Sequence, residues 1–133
     1  MGKQKAPMYD QYASLGKNSH YGRIYEDTIK SQPYKNLTLA EKNLYTICRV
    51  QLQSLNAKAC LYKHCLEEGI TYNEECDFVL PAKHMDEYGL ERSNTPKLLN
   101  RLIKKGFLDK KESNKHRRKV NVYSFSKRWK NYK

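Results

Sequence analysis

The sequence predicts a domain of the α+β class, mainly α-helical with a small β-sheet. Apolar residues recur with helical spacing from Thr38 to Glu68, and again from Leu98 to Ile103. After the second stretch, two runs rich in β-forming residues flank a polar, cationic segment, which is the pattern of a β-hairpin. A chain of 133 residues holds one modest core, so we expect a single domain with terminal extensions.

Residues 1–36 are predicted to form a tyrosine-rich N-terminal arm. They hold five tyrosines but few aliphatic residues, with Gly, Ser, Asn, Pro and Gln between them. Such a segment is too polar to build its own core and too aromatic for a simple linker. We expect the arm to pack on the body of the fold, on a second protomer or on nucleic acid. The first two are favoured because tyrosines supply large amphipathic contact areas.

The first long helix is predicted to start at Thr38, because Thr38 and Glu41 have the spacing of a capping box. A second helical stretch starts at Asn56 and runs without Gly or Pro to a stop at Gly69. We expect two helices, broken near residues 54–56. The apolar side of the second is predicted to carry Ala59, Tyr62, Cys65 and Leu66.

The four cysteines are predicted to be reduced thiols rather than metal ligands. No Cys-x-x-Cys pair occurs, and zinc sites usually contain such closely spaced pairs. Cys48 and Cys65 fall on apolar helical faces, where a thiol behaves as a small buried hydrophobe. We therefore expect no metal and no other cofactor.

A short strand and two more helices are predicted to follow. The apolar run 77–80 suits a strand, and residues 82–88 suit a two-turn helix closed by Gly89. Another helix begins shortly afterwards. Helix, glycine turn and helix at this spacing outline a helix-turn-helix, in which the second helix enters the major groove of DNA. The predicted interior residues of this unit are Met85, Leu90 and Leu98.

The second helix of this unit has marked ends and two contrasting faces. Ser93 is its predicted N-cap, Pro96 lies in its first turn and Gly106 is its stop. One face is an apolar stripe, and the other carries amide and cationic side chains of the kind that pair with base edges and phosphates. An ordinary solvated helix surface is the alternative. The polar face comprises Asn94, Lys97, Asn100, Arg101 and Lys104.

The net charge of +12 is confined to the last 37 residues. Residues 1–96 hold 12 Lys/Arg and 12 Asp/Glu, whereas residues 97–133 hold 14 Lys/Arg and two acids, Asp109 and Glu112. A concentrated cationic surface indicates a polyanionic partner, most often nucleic acid. Six of the cations and His116 lie within the hairpin predicted from strands 107–113 and 120–126. No apolar run long enough to cross a bilayer and no secretory signal is present, so we expect a cytoplasmic protein without membrane association.

This order of elements resembles that of the winged helix-turn-helix superfamily. Residues 93–110 are similar to the recognition-helix-to-wing junction of bacterial plasmid and phage replication initiators and of small mobile-element regulators. The resemblance covers residues 37–126, with residues 127–133 left as a basic C-terminal tail; the arm and an insert at 56–76 depart from it. It implies a helix that reads double-stranded DNA through Ser93, Asn94, Thr95, Lys97, Asn100, Arg101 and Lys104, and a wing that grips DNA through Lys115, His116, Arg117, Arg118 and Lys119.

We therefore expect a non-catalytic, sequence-specific DNA-binding protein, either a transcriptional regulator or an accessory replication factor of a mobile element, with a second copy of the chain as a candidate partner. No phosphate-binding glycine loop, His-x-His pair or carboxylate cluster with metal-binding spacing supports an enzyme. Two alternatives stay open: an interaction module whose basic end contacts an acidic protein, and a small DNA-processing enzyme.

Overall fold

The structure is a computed structural model, which describes residues 22–112 and 121–131. The described part is mainly helical with one three-stranded antiparallel sheet, so the predicted α+β class is confirmed. The helices are α1 (Glu26–Lys30), α2 (Gln32–Lys35), α3 (Leu39–Gln53), α4 (Leu55–Glu68), α5 (Ala82–Glu87) and α6 (Thr95–Lys104), followed by a 3-10 turn (Arg128–Asn131). The strands are β1 (Asp77–Val79), β2 (Leu108–Glu112) and β3 (Val122–Phe125).

The long helical stretch is divided into α3 and α4 at Ser54, as predicted. The capping box at the start of α3 is complete, because the Thr38 hydroxyl accepts from the Glu41 amide and the Glu41 carboxylate accepts from the Thr38 amide. Ser54 has extended backbone dihedrals, and its hydroxyl accepts from the Ala57 amide. A serine that ends one helix and caps the next lets the chain change direction without leaving amides unpaired.

The main core lies between α3, α6 and one face of the sheet. α3 contributes Leu44, Tyr45 and Cys48, all at most 1% exposed. Trp129 also belongs to this core, with its indole stacked on the Phe107 ring at 5.7 Å between centroids. Trp129 lies in the segment that the sequence predicts as a basic C-terminal tail, and its side chain is buried in this core. A large aromatic side chain gains more from burial than from exposure to water, so it holds this segment on the body.

Part of the predicted arm is packed structure as well. Tyr34 of α2 is buried, with its ring edge-on to Tyr45 at 6.0 Å and to Phe107 at 6.3 Å. Thr28 of α1 is also buried. These two residues of the predicted arm therefore pack on the body of the fold, which is one of the three arrangements expected for the arm. Residues 1–21 of the arm lie outside the described residues.

The buried face of α4 differs from the predicted one. Cys65 is buried as expected, but Ala59, Tyr62 and Leu66 are exposed. The helix instead contacts β1 and β3 through a second apolar face, where Leu61 and Cys65 cluster with Val79 and Val122. The buried side chains of α4 are Ala57, Leu61, His64 and Cys65.

The sheet has the strand order β1-β3-β2, with the hairpin partners β2 and β3 adjacent. Phe78 pairs with Tyr123 on one side of β3, and Leu108 pairs with Phe125 on the other. The register of β2 shifts between Lys110 and Glu112, as expected of a bulge. The predicted strands and their hairpin are confirmed, whereas the hairpin tip at 113–120 lies outside the described residues.

Two further expectations concern cysteines and membranes. Cys48 is fully buried and Cys65 is 2% exposed, which confirms their burial. Burial raises the pKa of the Cys48 thiol far above its usual range, so this thiol stays protonated. Among residues 22–112 and 121–131, no helix is long and apolar enough to cross a membrane, and no group of three His, Cys, Asp or Glu side chains could hold a metal ion.

Candidate nucleic-acid interface

Helices α5 and α6 are joined by a seven-residue connection, 88–94, that turns at Gly89. Gly89 has φ +73°, a left-handed conformation that costs other residues energy because of their Cβ atom. The Leu90 amide then donates to the Met85 carbonyl at 2.9 Å, which closes the C-terminus of α5. Met85 and Leu90 pack against the main core, and Leu98 is buried in it. These three residues are the interior positions that the sequence predicted for the turn.

The start of α6 corrects the predicted N-cap. The residue before the helix is Asn94, not Ser93, and its side chain makes no capping hydrogen bond. The chain already turns helically from Glu91, whose carbonyl accepts from the Asn94 and Thr95 amides and from the Thr95 hydroxyl at 2.7 Å. These bonds to the Glu91 carbonyl pair the first amides of α6, which the Ser93 hydroxyl was expected to do. Ser93 itself is exposed. Thr95 is 1% exposed, so its side chain is withdrawn from the predicted contact surface.

The two faces of α6 are divided as the sequence predicted. Leu98, Leu99 and Leu102 are buried, and Ile103 packs partly buried against the same cluster. The opposite face is open to solvent and polar along its whole length. Its exposed side chains are those of Asn94, Lys97, Asn100, Arg101 and Lys104.

The C-terminal end of α6 is fixed by backbone bonds and by two cations. Gly106 has φ +88°, and the Phe107 amide donates to the Leu102 carbonyl at 3.0 Å, which is the pattern of a Schellman motif. The Arg128 guanidinium donates to the Ile103 carbonyl at 2.9 Å, where the partial negative charge of the helix end favours a cation. Lys105 reaches back to α3 at this same end.

Lys105 forms an ion pair with a carboxylate that is completely buried. Its Nζ lies 2.6 Å from Oε1 of Glu41, whose side chain is 0% exposed, while the Lys105 side chain is 40% exposed. Burial by itself would raise the pKa of Glu41. The hydrogen bonds from Lys105 and from the Thr38 amide outweigh it and hold that pKa below its ordinary value of 4.5. The sequence located Glu41 in its capping box, but nothing local to it could predict a partner 64 residues away.

A buried polar network fixes α5 to α3. Nε2 of Gln51, which is 1% exposed, donates to the Val79 carbonyl at 2.9 Å and lies 2.6 Å from Nδ1 of His84. The Tyr88 hydroxyl donates to Oε1 of the same glutamine at 3.0 Å. Because the amide of Gln51 is fully paired only when His84 of α5 and the following residue Tyr88 are both in place, the network fixes where the turn into α6 begins. Sequence reasoning missed these roles.

The described cations of residues 97–133, here called the basic segment, fall into two groups. Three of them are paired with carboxylates: Lys105 with Glu41, Lys111 with the buried Asp77, and Arg128 with Asp109. Within the described ranges, no ion pair involves the exposed cations of the other group, so their charge is available to a ligand. These are Lys97, Arg101 and Lys104 on α6, Lys110 on β2, and Lys127 and Lys130 near the 3-10 turn.

The predicted wing residues Lys115, His116, Arg117, Arg118 and Lys119 lie outside the described residues. The strands that lead into and out of that segment are β2 and β3, and β2 packs beside α6. No protein-family model, curated protein or solved structure has significant similarity to this chain.

Proposed function

We propose that this protein binds double-stranded DNA as a winged helix-turn-helix protein and reads its sequence with the exposed face of α6. The observation that carries the proposal is the polar face of that helix: Lys97, Asn100, Arg101 and Lys104 are all exposed, and no carboxylate neutralises the three cations within the described part of the chain. Arginine and asparagine are the side chains best suited to bidentate contacts with guanine and adenine.

The supports of α6 fit this role. A recognition helix must be held rigidly, because a base contact depends on the position of its donor and acceptor atoms. α6 is fixed along its buried leucine face, at its start by the turn from α5, and at its end by Lys105 and Arg128. The two contacts at its end are long-range, since Glu41 lies in α3 and Arg128 lies 25 residues after Ile103.

The hairpin of β2 and β3 completes the proposed winged helix. The element order from α3 to β3, with the hairpin last, agrees with the outline that the resemblance implies. In this proposal, the cations from Lys115 to Lys119 contact phosphates, which position the protein but carry no base information. The biological role we propose is regulation of transcription or assistance in replication, without catalysis.

Binding to duplex DNA under varied salt tests the proposal. The full-length protein should bind random-sequence duplex, and log K should fall with log[salt] by roughly 0.9 for each phosphate contact. Selection from a random duplex library should then enrich a preferred site. Binding that does not change between about 50 and 200 mM salt would contradict the polyanion proposal, because that range should cost a phosphate-contacting protein much of its affinity.

Substitutions on α6 distinguish base-specific contacts from sequence-independent attraction to the charge of DNA. Arg101→Ala and Asn100→Ala should each reduce the preference for the selected site by about 1–3 kcal/mol, the discrimination that a bidentate base contact provides. Lys35→Ala removes an exposed cation from α2 and is the matched control, which should leave the preference unchanged. Equal losses on selected and random duplexes for both α6 variants would contradict base reading by this helix. In that case, the exposed face of α6 would contact phosphates without reading bases.

A further inference from the structure

An exposed apolar stripe runs along the face of α4 opposite the sheet. Leu55 is 61% exposed, Tyr62 is 56% exposed and Leu66 is 69% exposed, and Ala59 between them is exposed as well. At 3.6 residues per turn, these four side chains fall within about 60° of one another, on the side away from the buried Leu61. Large apolar side chains gathered on one exposed face usually mark an interaction site.

The spacing of the stripe is the same in both directions along the helix. The intervals between its members are four, three and four residues, which is the a/d spacing of a coiled-coil seam. If a second α4 is laid against it in the antiparallel sense, Leu55 meets Leu66 of the second copy, and Ala59 meets Tyr62 of the second copy. Each large ring therefore faces a small side chain, and each leucine faces a leucine.

We infer that the α4 stripe is a self-association surface at which two copies of this chain pack with their α4 helices antiparallel. An interface across a two-fold axis must be complementary to itself, and the stripe meets that requirement in spacing and in side-chain size. The formal charge of α4 sums to zero, from Lys58 and Lys63 and from Glu67 and Glu68. The +12 of the protein lies in residues 97–133, away from this helix in sequence.

The size of the stripe predicts a weak dimer. From Leu55 to Leu66, it extends over about 16 Å at 1.5 Å per residue. Two helices in contact over that length bury less than the roughly 800 Å² per partner of a standard stable interface. We therefore expect a dimer that dissociates on dilution in the micromolar range. The inference is carried by α4 alone and does not depend on DNA binding by α6.

Sedimentation velocity of the full-length protein tests the surface. The wild-type chain should shift from monomer to dimer between about 5 and 200 µM. Leu66→Glu should weaken association by at least about tenfold, because it places a charge in the apolar contact of both copies. Leu39→Glu is the matched control: Leu39 is 84% exposed at the start of α3, outside the stripe, and its replacement should leave association unchanged. A wild-type chain that stays monomeric throughout, or a dimer that Leu66→Glu leaves intact, would overturn the inference.

Disulfide trapping tests the antiparallel arrangement. The background carries Cys60→Ser and Cys76→Ser, since these two thiols are only partly buried. In that background, Leu55→Cys and Leu66→Cys chains should each remain uncrosslinked alone but form a covalent dimer when mixed, because residue 55 of one copy meets residue 66 of the other. Crosslinking by either variant alone, without a mixed product, would overturn the antiparallel pairing.

Discussion

Replacing Lys105 by methionine should destabilise the protein through a carboxylate that the substitution does not touch. Lys105→Met keeps an unbranched side chain of similar length at the end of α6 but removes the ammonium group, which lies 2.6 Å from Glu41. Glu41 is then left ionised at a site where its side chain is 0% exposed. Its carboxylate keeps the hydrogen bond from the Thr38 amide, and its own amide still donates to the Thr38 hydroxyl. An uncompensated buried charge is far more costly than the loss of a surface ion pair.

The expected size of the effect follows from the unequal burial of the two partners. Removing one member of a fully buried pair costs about 3–5 kcal/mol. Lys105 is 40% exposed, so water screens part of the interaction, and Glu41 retains the hydrogen bond from the Thr38 amide at 2.8 Å. We therefore expect Lys105→Met to lower the free energy of unfolding by about 1–3 kcal/mol at neutral pH.

Urea denaturation followed by circular dichroism measures this loss, and Lys104→Met provides the control. Lys104 is exposed, lies in the same turn of α6 and loses the same charge, so its variant should stay within about 0.5 kcal/mol of wild type. The double variant Glu41→Gln, Lys105→Met should be more stable than Lys105→Met alone, because the buried charge has gone. A Lys105→Met loss no larger than that of Lys104→Met would refute the reasoning.

The same substitution should change the pH dependence of stability. The pKa of Glu41 is lowered in the folded protein, so its ionised form contributes stability above its ordinary pKa of 4.5, and this is lost as the pH falls through the lowered folded value. The difference between wild type and Lys105→Met should therefore shrink from pH 7 to pH 3. A difference that is constant over this range would mean that Glu41 is not the source of the loss.

Two further predictions concern the terminal segments. A Cβ on Gly22 would lie 2.6 Å from backbone atoms of Arg49 and Val50. Gly22→Ala should therefore displace the chain before α1 and accelerate tryptic cleavage at Arg23. An unchanged cleavage rate would contradict that close approach. Trp129→Ala removes a ring that is 8% exposed and stacked on Phe107, so it should cost about 3–5 kcal/mol in urea denaturation. A loss below about 1 kcal/mol would show that the 3-10 turn is not part of the core.

The features that the sequence predicted correctly are local ones. The capping box at Thr38, the glycine after α6 and the alternating hairpin strands each depend on residues close together in the chain, so their patterns can be recognised directly. The polar face of α6 was predicted for the same reason, since helical periodicity divides its residues into two faces. Its position in space depends on Glu41 and Gln51, whose partners lie 28 to 64 residues away.

The errors arise where local patterns permit two outcomes. α4 has two apolar faces, one through Leu61 and Cys65 and one through Tyr62 and Leu66, and periodicity identifies both without deciding which meets the sheet. Ser93 is a good N-cap residue, but the turn from Glu91 already provides the backbone bonds that a cap would supply. Tyr34 and Trp129 lie in polar segments, and only the tertiary core reveals the space that their rings fill.

Substitutions of cations in the basic segment should have different effects, depending on whether the cation is paired with a carboxylate or exposed to a ligand. Lys105 and Lys111 each neutralise a carboxylate that is nearly or completely buried, so their loss should lower stability at any salt concentration that permits folding. Lys97 and Arg101 are exposed on α6, so their loss should leave stability unchanged and, under the proposed function, reduce the salt dependence of binding to DNA. If Lys105 and Arg101 variants instead lost stability and salt dependence in the same proportion, the cations would act as one undifferentiated charge, and the face of α6 would have no special part in binding.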